Sequence, residues 1–180
     1  MEWHNEPQSV MMGGSTIIVT TEPKTDVWRQ PIEGGIRDTA HFHFGRIIGD
    51  FTAEVIVDGD FTEQYDQAGL MIRRDGGLWL KCGIEFVDGR RYASVVVTRE
   101  WSDWSLADMP EGAPLTIRVD KHGDIVKIWR IVDGEPELLR KTFFPDSPEL
   151  EVGIAAASPG DRGFDARFEG FIVRRGGVNT

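Results

Sequence analysis

Three consecutive segments in the middle of the chain carry apolar residues at every second position, and this alternation constrains the fold more than any other feature. The even-numbered positions are apolar in residues 68–73 and 78–86, and in residues 92–99 the odd-numbered positions Ala93, Val95 and Val97 are apolar. Successive side chains of a strand point to opposite faces of its sheet, so a slip of one residue would move a whole apolar set into water. The alternation therefore predicts three neighbouring strands that share one buried face.

Two turns between these segments set the register. Residues 75–77 form a loop of three residues and Asp88-Gly89 a turn of two, both of which are standard hairpin lengths. This register pairs Leu70 with Cys82 and Cys82 with Val95 in the core. On the opposite face it predicts three rows of neighbouring side chains: Gln67, Glu85 and Tyr92; Gly69, Gly83 and Ser94; and Met71, Lys81 and Val96. Because paired glycines leave bare backbone, we expect a ligand to approach closely there.

Short β-branched and aromatic runs separated by Gly, Pro and Asp continue along the whole chain, which is typical of sandwiches and barrels. They predict strands over residues 16–21, 39–44, 51–57, 68–73, 78–86, 92–99, 115–120, 125–131, 138–143, 150–156 and 164–174. The pattern indicates an all-β fold, a two-sheet antiparallel sandwich that forms a single domain over residues 1–180. We expect the strands at 16–21 and 164–174 to pair, because closure removes an exposed sheet edge.

The charge of the chain argues against two classes of partner. The 180 residues have a net charge of -10 and a pI near 4.8, so nucleic acid and anionic membranes are disfavoured. Cys82 lies in an apolar run and is expected to be an inert core thiol. The sequence shows no signal-peptide pattern and no apolar run long enough to span a bilayer. We therefore expect a cytoplasmic protein.

Four motifs of the chain are distinctive as a set: Thr25-Asp26-Val27-Trp28-Arg29, the run at 65–73, the run at 83–89, and Ser102-Asp103-Trp104-Ser105. They resemble motifs of a family of uncharacterised domains named after a yeast protein, regulation of enolase. This family is similar to the concanavalin A-like lectin and glucanase superfamily of jelly rolls. The resemblance implies a jelly-roll sandwich that uses its concave sheet for binding, and it implies no agreed biochemical activity.

Catalytic patterns known from related folds are missing from the sequence. A glycosidase needs two carboxyl groups on either side of the scissile bond. The Glu-x-Asp-x-x-Glu pattern of laminarinase-type relatives does not occur, and Glu85 has Gln67 and Tyr92 as its predicted neighbours. The nucleophile elbow Gly-x-Ser-x-Gly, phosphate loops and dinucleotide fingerprints are also missing. The sequence therefore favours binding over catalysis.

One pair of histidines raises the question of a metal site. Gly35 followed after five residues by His41-Phe42-His43 matches the opening of the cupin metal signature. The signature then needs a Glu four or five residues on, where Ile47 and Ile48 stand. We therefore predict no metal and no other cofactor, and we expect His43 to line the binding groove instead.

The remaining signal is a set of aromatic and polar residues suited to sugars, whose C–H faces stack on aromatic rings and whose hydroxyls bond to polar side chains. We predict a non-catalytic, lectin-like domain that binds a carbohydrate or a polyhydroxylated metabolite. Two alternatives stay open: an enzyme with Glu85 as acid or base assisted by Lys81 or His43, and a protein-interaction module that regulates a metabolic enzyme. The predicted ligand-binding residues are Trp28, Arg29, His43, Asp66, Gln67, Lys81, Glu85, Tyr92 and Trp104.

Overall fold

The structure, a computed structural model, describes residues 1–32 and 35–176, which form sixteen strands. In chain order these are β1 (Glu2–His4), β2 (Ser9–Gly13), β3 (Thr16–Thr20), β4 (Val27–Arg29), β5 (Ile36–Asp38), β6 (His41–Ile47), β7 (Phe51–Gly59), β8 (Gln67–Asp75), β9 (Leu78–Val87), β10 (Arg90–Arg99), β11 (Trp101–Asp108), β12 (Leu115–His122), β13 (Ile125–Val132), β14 (Glu135–Phe143), β15 (Leu150–Ala157) and β16 (Asp165–Arg175). Among the described residues no helix is long and apolar enough to cross a membrane.

The strands form two seven-stranded antiparallel sheets and one hairpin. The first sheet has the order β1-β6-β15-β8-β9-β10-β11, and the second has the order β14-β13-β12-β7-β16-β3-β2. The hairpin consists of β4 and β5. Apolar side chains from both sheets, such as Leu70 and Cys82 in the first and Val55 and Ile117 in the second, form one core cluster between them. The predicted all-β jelly-roll sandwich is confirmed.

The predicted register of the three central strands is also confirmed. Leu70 lies opposite Cys82, and Cys82 lies opposite Val95. All three are at most 3% exposed. In the turn between β9 and β10, Asp88 and Gly89 both have positive φ, 49° and 80°. Positive φ at both central residues defines the type I′ turn, whose twist matches that of the flanking strands.

The predicted pairing of the strands at 16–21 and 164–174 is confirmed, because β3 pairs with β16 over Thr16–Thr20. The sheet itself stays open, since β2 and β14 form its edges. Five strands were not predicted, namely β1, β2, β4, β5 and β11. All but β11 are five residues or shorter, and β11 is an edge strand with mostly exposed or half-buried side chains. Hydrophobic alternation marks strands that bury one face, so it gives little signal for these.

The face of the first sheet that points away from the core differs from the expectation of an open surface. Met71, Trp79 and Val96 lie on this face and are at most 1% exposed. They form a second apolar cluster with Phe42, Phe44, Ala40, Ala155 and Ala157 of the sheet region and with Val27 of the hairpin, and Trp28 packs against it. The β4–β5 hairpin therefore covers part of the face, and only the remainder is available to a ligand.

Gly69 and Gly83 lie opposite each other in this covered part, where they line a cavity of only about 20 Å³ beneath Val27 and Ala40. A ligand therefore does not reach them, contrary to the expectation from the sequence. Their small size serves the packing of β8 on β9, since a Cβ on Gly83 would collide with the carbonyl oxygen of Ala68.

We expect Gly83→Ala to lower the free energy of unfolding by about 1–3 kcal/mol, because the added methyl group overpacks a site bounded by backbone that has no room to move. Gly13→Ala is the matched control, since a Cβ at Gly13 would meet no atom within 4 Å. Urea unfolding of both variants measures the difference. Equal stability of the two variants would show that the Gly69–Gly83 contact does not demand glycine.

Candidate functional site

A cleft of about 650 Å³ opens beside the β4–β5 hairpin, on the part of the first sheet that the hairpin leaves uncovered. Three aromatic side chains line it, and Trp104 on β11 lies between the other two. The ring centroids of Trp28 and Trp104 are 6.4 Å apart at 83°, and those of Tyr65 and Trp104 are 6.2 Å apart at 76°. These edge-to-face contacts are a favoured aromatic geometry, so they fix the orientation of Trp104.

Glu85 stands at the base of the cleft and is 6% exposed. Its Oε2 accepts hydrogen bonds from Ser94 Oγ at 2.5 Å and from Trp104 Nε1 at 3.1 Å. No described residue donates to its Oε1. A buried carboxylate normally satisfies its oxygens, so Oε1 is an acceptor that a ligand in the cleft can use.

Gln67 lies opposite Glu85, as predicted, but its amide is already engaged. Its Nε2 donates to Asp26 Oδ1 at 3.2 Å and to the carbonyl oxygen of Tyr65 at 3.0 Å. Its Oε1 accepts a hydrogen bond from Lys81 Nζ. With both amide protons and the oxygen in use, Gln67 positions Lys81 rather than offering a free group to a ligand.

Asp26 and Arg37 complete this polar chain from the hairpin side. Arg37 Nη1 donates to Asp26 Oδ2 at 3.3 Å, and the backbone N–H of Val27 donates to Asp26 Oδ1 at 2.8 Å. The order Arg37–Asp26–Gln67–Lys81 therefore connects the hairpin to the central strands across one wall of the cleft. All four side chains line the cleft.

Five of the residues predicted from the sequence line the cleft: Trp28, Gln67, Lys81, Glu85 and Trp104. Six residues that also line it were not predicted, namely Asp26, Gln30, Arg37, Tyr65, Ser102 and Asp103. Asp26, Tyr65, Ser102 and Asp103 belong to the motifs that carry the family resemblance, which was the available signal. No sequence signal indicated Gln30 and Arg37, because only the packing of the hairpin brings these two residues to the cleft.

His43 does not line the cleft, which corrects the expectation from the sequence. It pairs with Ile154, a residue of the main core, so its side chain points to the opposite face of the first sheet. There it stacks on Trp3 with ring centroids 4.5 Å apart. The adjacent phenylalanines Phe42 and Phe44 take the cleft-side positions of β6 instead. The sequence could not reveal this, because every residue of His41–Phe44 is buried and alternation does not identify the faces.

Arg29, Asp66 and Tyr92 also lie outside the cleft lining. Arg29 Nε donates to the carbonyl oxygen of Glu100 at 2.9 Å, which ties the hairpin to the β10–β11 turn. Asp66 is fully buried and accepts from the backbone N–H groups of Thr62 and Glu63 and from Ser158 Oγ. Tyr92 lies beyond Glu85 in its predicted row and packs under the guanidinium of Arg90. Arg29 and Asp66 thus hold the frame around the cleft.

The cupin-like histidines take part in ordinary structural contacts. His41 Nδ1 is 2.6 Å from the carbonyl oxygen of Asn5, and the backbone N–H of Glu22 donates to His41 Nε2 at 3.1 Å. In the described parts of the chain, no group of three His, Cys, Asp or Glu side chains is arranged to hold a metal ion.

The two antiparallel sheets packed face to face give the chain a lectin-like jelly-roll fold. The legume lectin-like domain of Entamoeba histolytica has this fold: it superimposes with a TM-score of 0.65 at 11% identity, over 97% of this chain and 90% of that one.

The family described as "Protein of unknown function (DUF1349)" matches residues 3–175, so the chain belongs to it. Regulation of enolase protein 1 of Saccharomyces cerevisiae is 38% identical over 168 residues, which are 92% of this chain and 85% of that protein. A crystal structure of a functionally unknown protein from Saccharomyces cerevisiae superimposes with a TM-score of 0.91 at 35% identity, over 96% of this chain and 95% of that one.

The burial of His43 should make the stability of the protein depend on pH. Burial lowers the pKa of His43 below its ordinary value of 6.5, and its Nδ1 has no hydrogen-bond partner among the described residues. The unfolded chain therefore takes up a proton at His43 more readily than the folded chain. Above about pH 6.5, His43 is neutral in both states and does not favour unfolding. As the pH falls below that value, protonation of His43 in the unfolded chain decreases the free energy of unfolding.

We expect His43→Phe, which keeps an aromatic ring on Trp3, to remove this part of the acid sensitivity. The difference in unfolding free energy between the variant and the native chain should grow in favour of the variant from about pH 7 to about pH 5.5. Urea unfolding at several pH values measures it. A difference that does not change with pH would show that His43 titrates alike in the folded and unfolded states.

Proposed function

We propose that this protein is a non-catalytic, lectin-like domain that binds a carbohydrate or a related polyhydroxylated metabolite in the cleft beside the β4–β5 hairpin. The observation that carries the proposal is the combination of an aromatic wall with one unused acceptor, Glu85 Oε1, at its base. A concave site with apolar walls and few placed polar groups is the usual form of a small-molecule site.

The aromatic wall suits the C–H face of a sugar ring. The face of an indole is electron-rich, so it attracts the partly positive C–H groups that a pyranose presents on one side. Trp104 is 37% exposed although its Nε1 is bonded, so part of its ring remains accessible from the cleft. The bond to Glu85 and the edge contact with Trp28 hold the ring in place before a ligand arrives, which lowers the entropy lost on binding.

Glu85 supplies the hydrogen-bond acceptor for a hydroxyl of the same sugar. A sugar hydroxyl that donates to Oε1 forms a charge-assisted hydrogen bond, which contributes about 1.5–3 kcal/mol. The carboxylate keeps its place because Ser94 and Trp104 hold the other oxygen. Gln67, its cross-strand neighbour, is an amide, so the pair does not provide the two carboxyl groups that a glycosidase uses.

We expect Glu85→Gln to weaken sugar binding about tenfold without lowering the melting temperature. The amide oxygen of Gln can still accept from Ser94 and Trp104, so the internal bonds survive. Its amide nitrogen then faces the ligand and replaces an acceptor with a donor. A glycan array screened with the native protein identifies the ligand, and calorimetric titration of both proteins with that glycan measures the change.

Glu169→Gln is the control, because Glu169 is an exposed carboxylate on β16 in the other sheet. It should leave both affinity and melting temperature unchanged. Unchanged affinity of Glu85→Gln together with a lower melting temperature would mean that Glu85 only supports the fold. An array on which the native protein binds no glycan would overturn the proposal.

A further inference from the structure

Lys81 is the cation of the described cleft lining that forms no ion pair, since Arg37 is paired with Asp26. Its ammonium donates to the amide oxygen of Gln67, and no described residue forms an ion pair with it. An ammonium group has three donors, so at least two remain available. A half-buried cation that is only partly satisfied favours a negatively charged partner, because burial weakens its hydration.

The carboxylates that line the same cleft are already engaged by the protein. Asp26 accepts from Arg37 Nη1, from Gln67 Nε2 and from the backbone N–H of Val27. Asp103 Oδ2 accepts from Arg140 Nη2 at 2.6 Å. Glu85 accepts from Ser94 and Trp104 through one oxygen. In the described lining, Lys81 is thus the positive charge without an ion-pair partner, and Glu85 is a carboxylate with only neutral donors on Oε2 and with Oε1 still able to accept from a hydroxyl.

The polar chain fixes where that positive charge sits. Gln67 holds Lys81 Nζ on one side, and Gln67 lies directly opposite Glu85, where cross-strand Cβ atoms are about 4.5–5.5 Å apart. Arg37, whose side chain is 51% exposed, lines the same wall and is joined to Asp26 only through Nη1. An anionic group beside Lys81 would therefore share the cleft with a second cation, Arg37, and with the acceptor Glu85.

We propose that the cleft selects a sugar that carries one anionic group, a carboxylate or a phosphate, and that Lys81 binds this group while Glu85 Oε1 accepts a hydroxyl from the same ring. This inference rests on the proposed sugar-binding function and narrows its ligand class. The net charge of -10 repels long polyanions, but exposed charges beyond about 8–10 Å are screened at physiological salt, so the nearest groups decide the binding of a single anion.

Matched pairs of ligands test the proposal with the full chain. The neutral members are glucose and galactose, and the charged members are glucuronate, galacturonate, glucose 6-phosphate and galactose 6-phosphate. In titrations followed by NMR, we expect a charged member to bind the native protein at least about tenfold more tightly than its neutral counterpart. The carboxylate and phosphate members show separately which anion is preferred. Inorganic phosphate and acetate are included as free anions.

Two variants assign the preference to Lys81. Lys81→Gln removes the charge but keeps an amide donor toward Gln67, and it should reduce the preference for the charged member of each pair to less than about threefold. Lys81→Arg keeps the charge and should keep most of the preference. Lys141→Met, a change on the exposed β14 strand of the other sheet, is the control and should have no effect.

The outcomes separate this inference from the proposed function. Equal binding of neutral and charged members, or an undiminished preference in Lys81→Gln, would overturn the inference and leave sugar binding intact. Free phosphate or acetate binding as tightly as the charged sugars would also overturn it. If none of the six sugars and no arrayed glycan binds, both fail. Should Lys81→Gln not fold, the native protein still decides: the affinity for the charged sugars must fall with added salt, while that for the neutral sugars must not.

Discussion

Asp26 is the residue on which the geometry of the cleft depends, because it joins the β4–β5 hairpin to the first sheet. Its carboxylate accepts from Val27, Arg37 and Gln67, and its carbonyl oxygen accepts from the N–H groups of Thr39 and Ala40. A single residue thus holds the start and the end of the hairpin through its carboxylate and its backbone carbonyl, together with the amide that positions Lys81. An isolated two-stranded hairpin is at best marginally stable in water, so this attachment and the apolar contacts beneath it are needed to keep Trp28 in the cleft wall.

The apolar contacts under the hairpin explain why the cleft lies where it does. The first sheet buries both of its faces near its middle, one in the main core and one in the cluster of Met71, Trp79 and Val96. Val27 seals that second cluster. Lys81 and Glu85 line both the small cavity beneath Val27 and the cleft, so the cleft adjoins the area that the hairpin covers.

The polar groups of the cleft are of two kinds: those that bond only within the protein, and those that can still bond to a ligand. Asp26 and Gln67 are saturated by the protein and act as supports for other side chains. Glu85 and Lys81 each keep bonding capacity toward the cleft. Such a division is expected of a preorganised site, where supporting hydrogen bonds are made within the protein before the ligand binds and only a few groups change partner.

The sequence by itself determined the central register. Alternation and two turns placed Gln67 opposite Glu85 and buried Cys82, because a one-residue slip would expose a whole apolar face. It also determined that residues 16–21 and 164–174 are strand-forming segments, and they pair as expected. Both features follow from the local residue pattern and from turn length, so they do not depend on what packs above the sheet.

Only the tertiary structure decided which parts of that face are accessible and which side chains meet there. His43 points to the core because β6 pairs with β15 in the register that sets it opposite Ile154, and Gly69 and Gly83 lie under Val27 and Ala40. Arg37 and Gln30 reached the cleft through a hairpin with strands of three residues, too short for a periodic signal. Packing between segments that are distant in sequence determines these features. The free energy that stabilises each of these positions comes from contacts with distant segments, and a local sequence pattern does not contain that information.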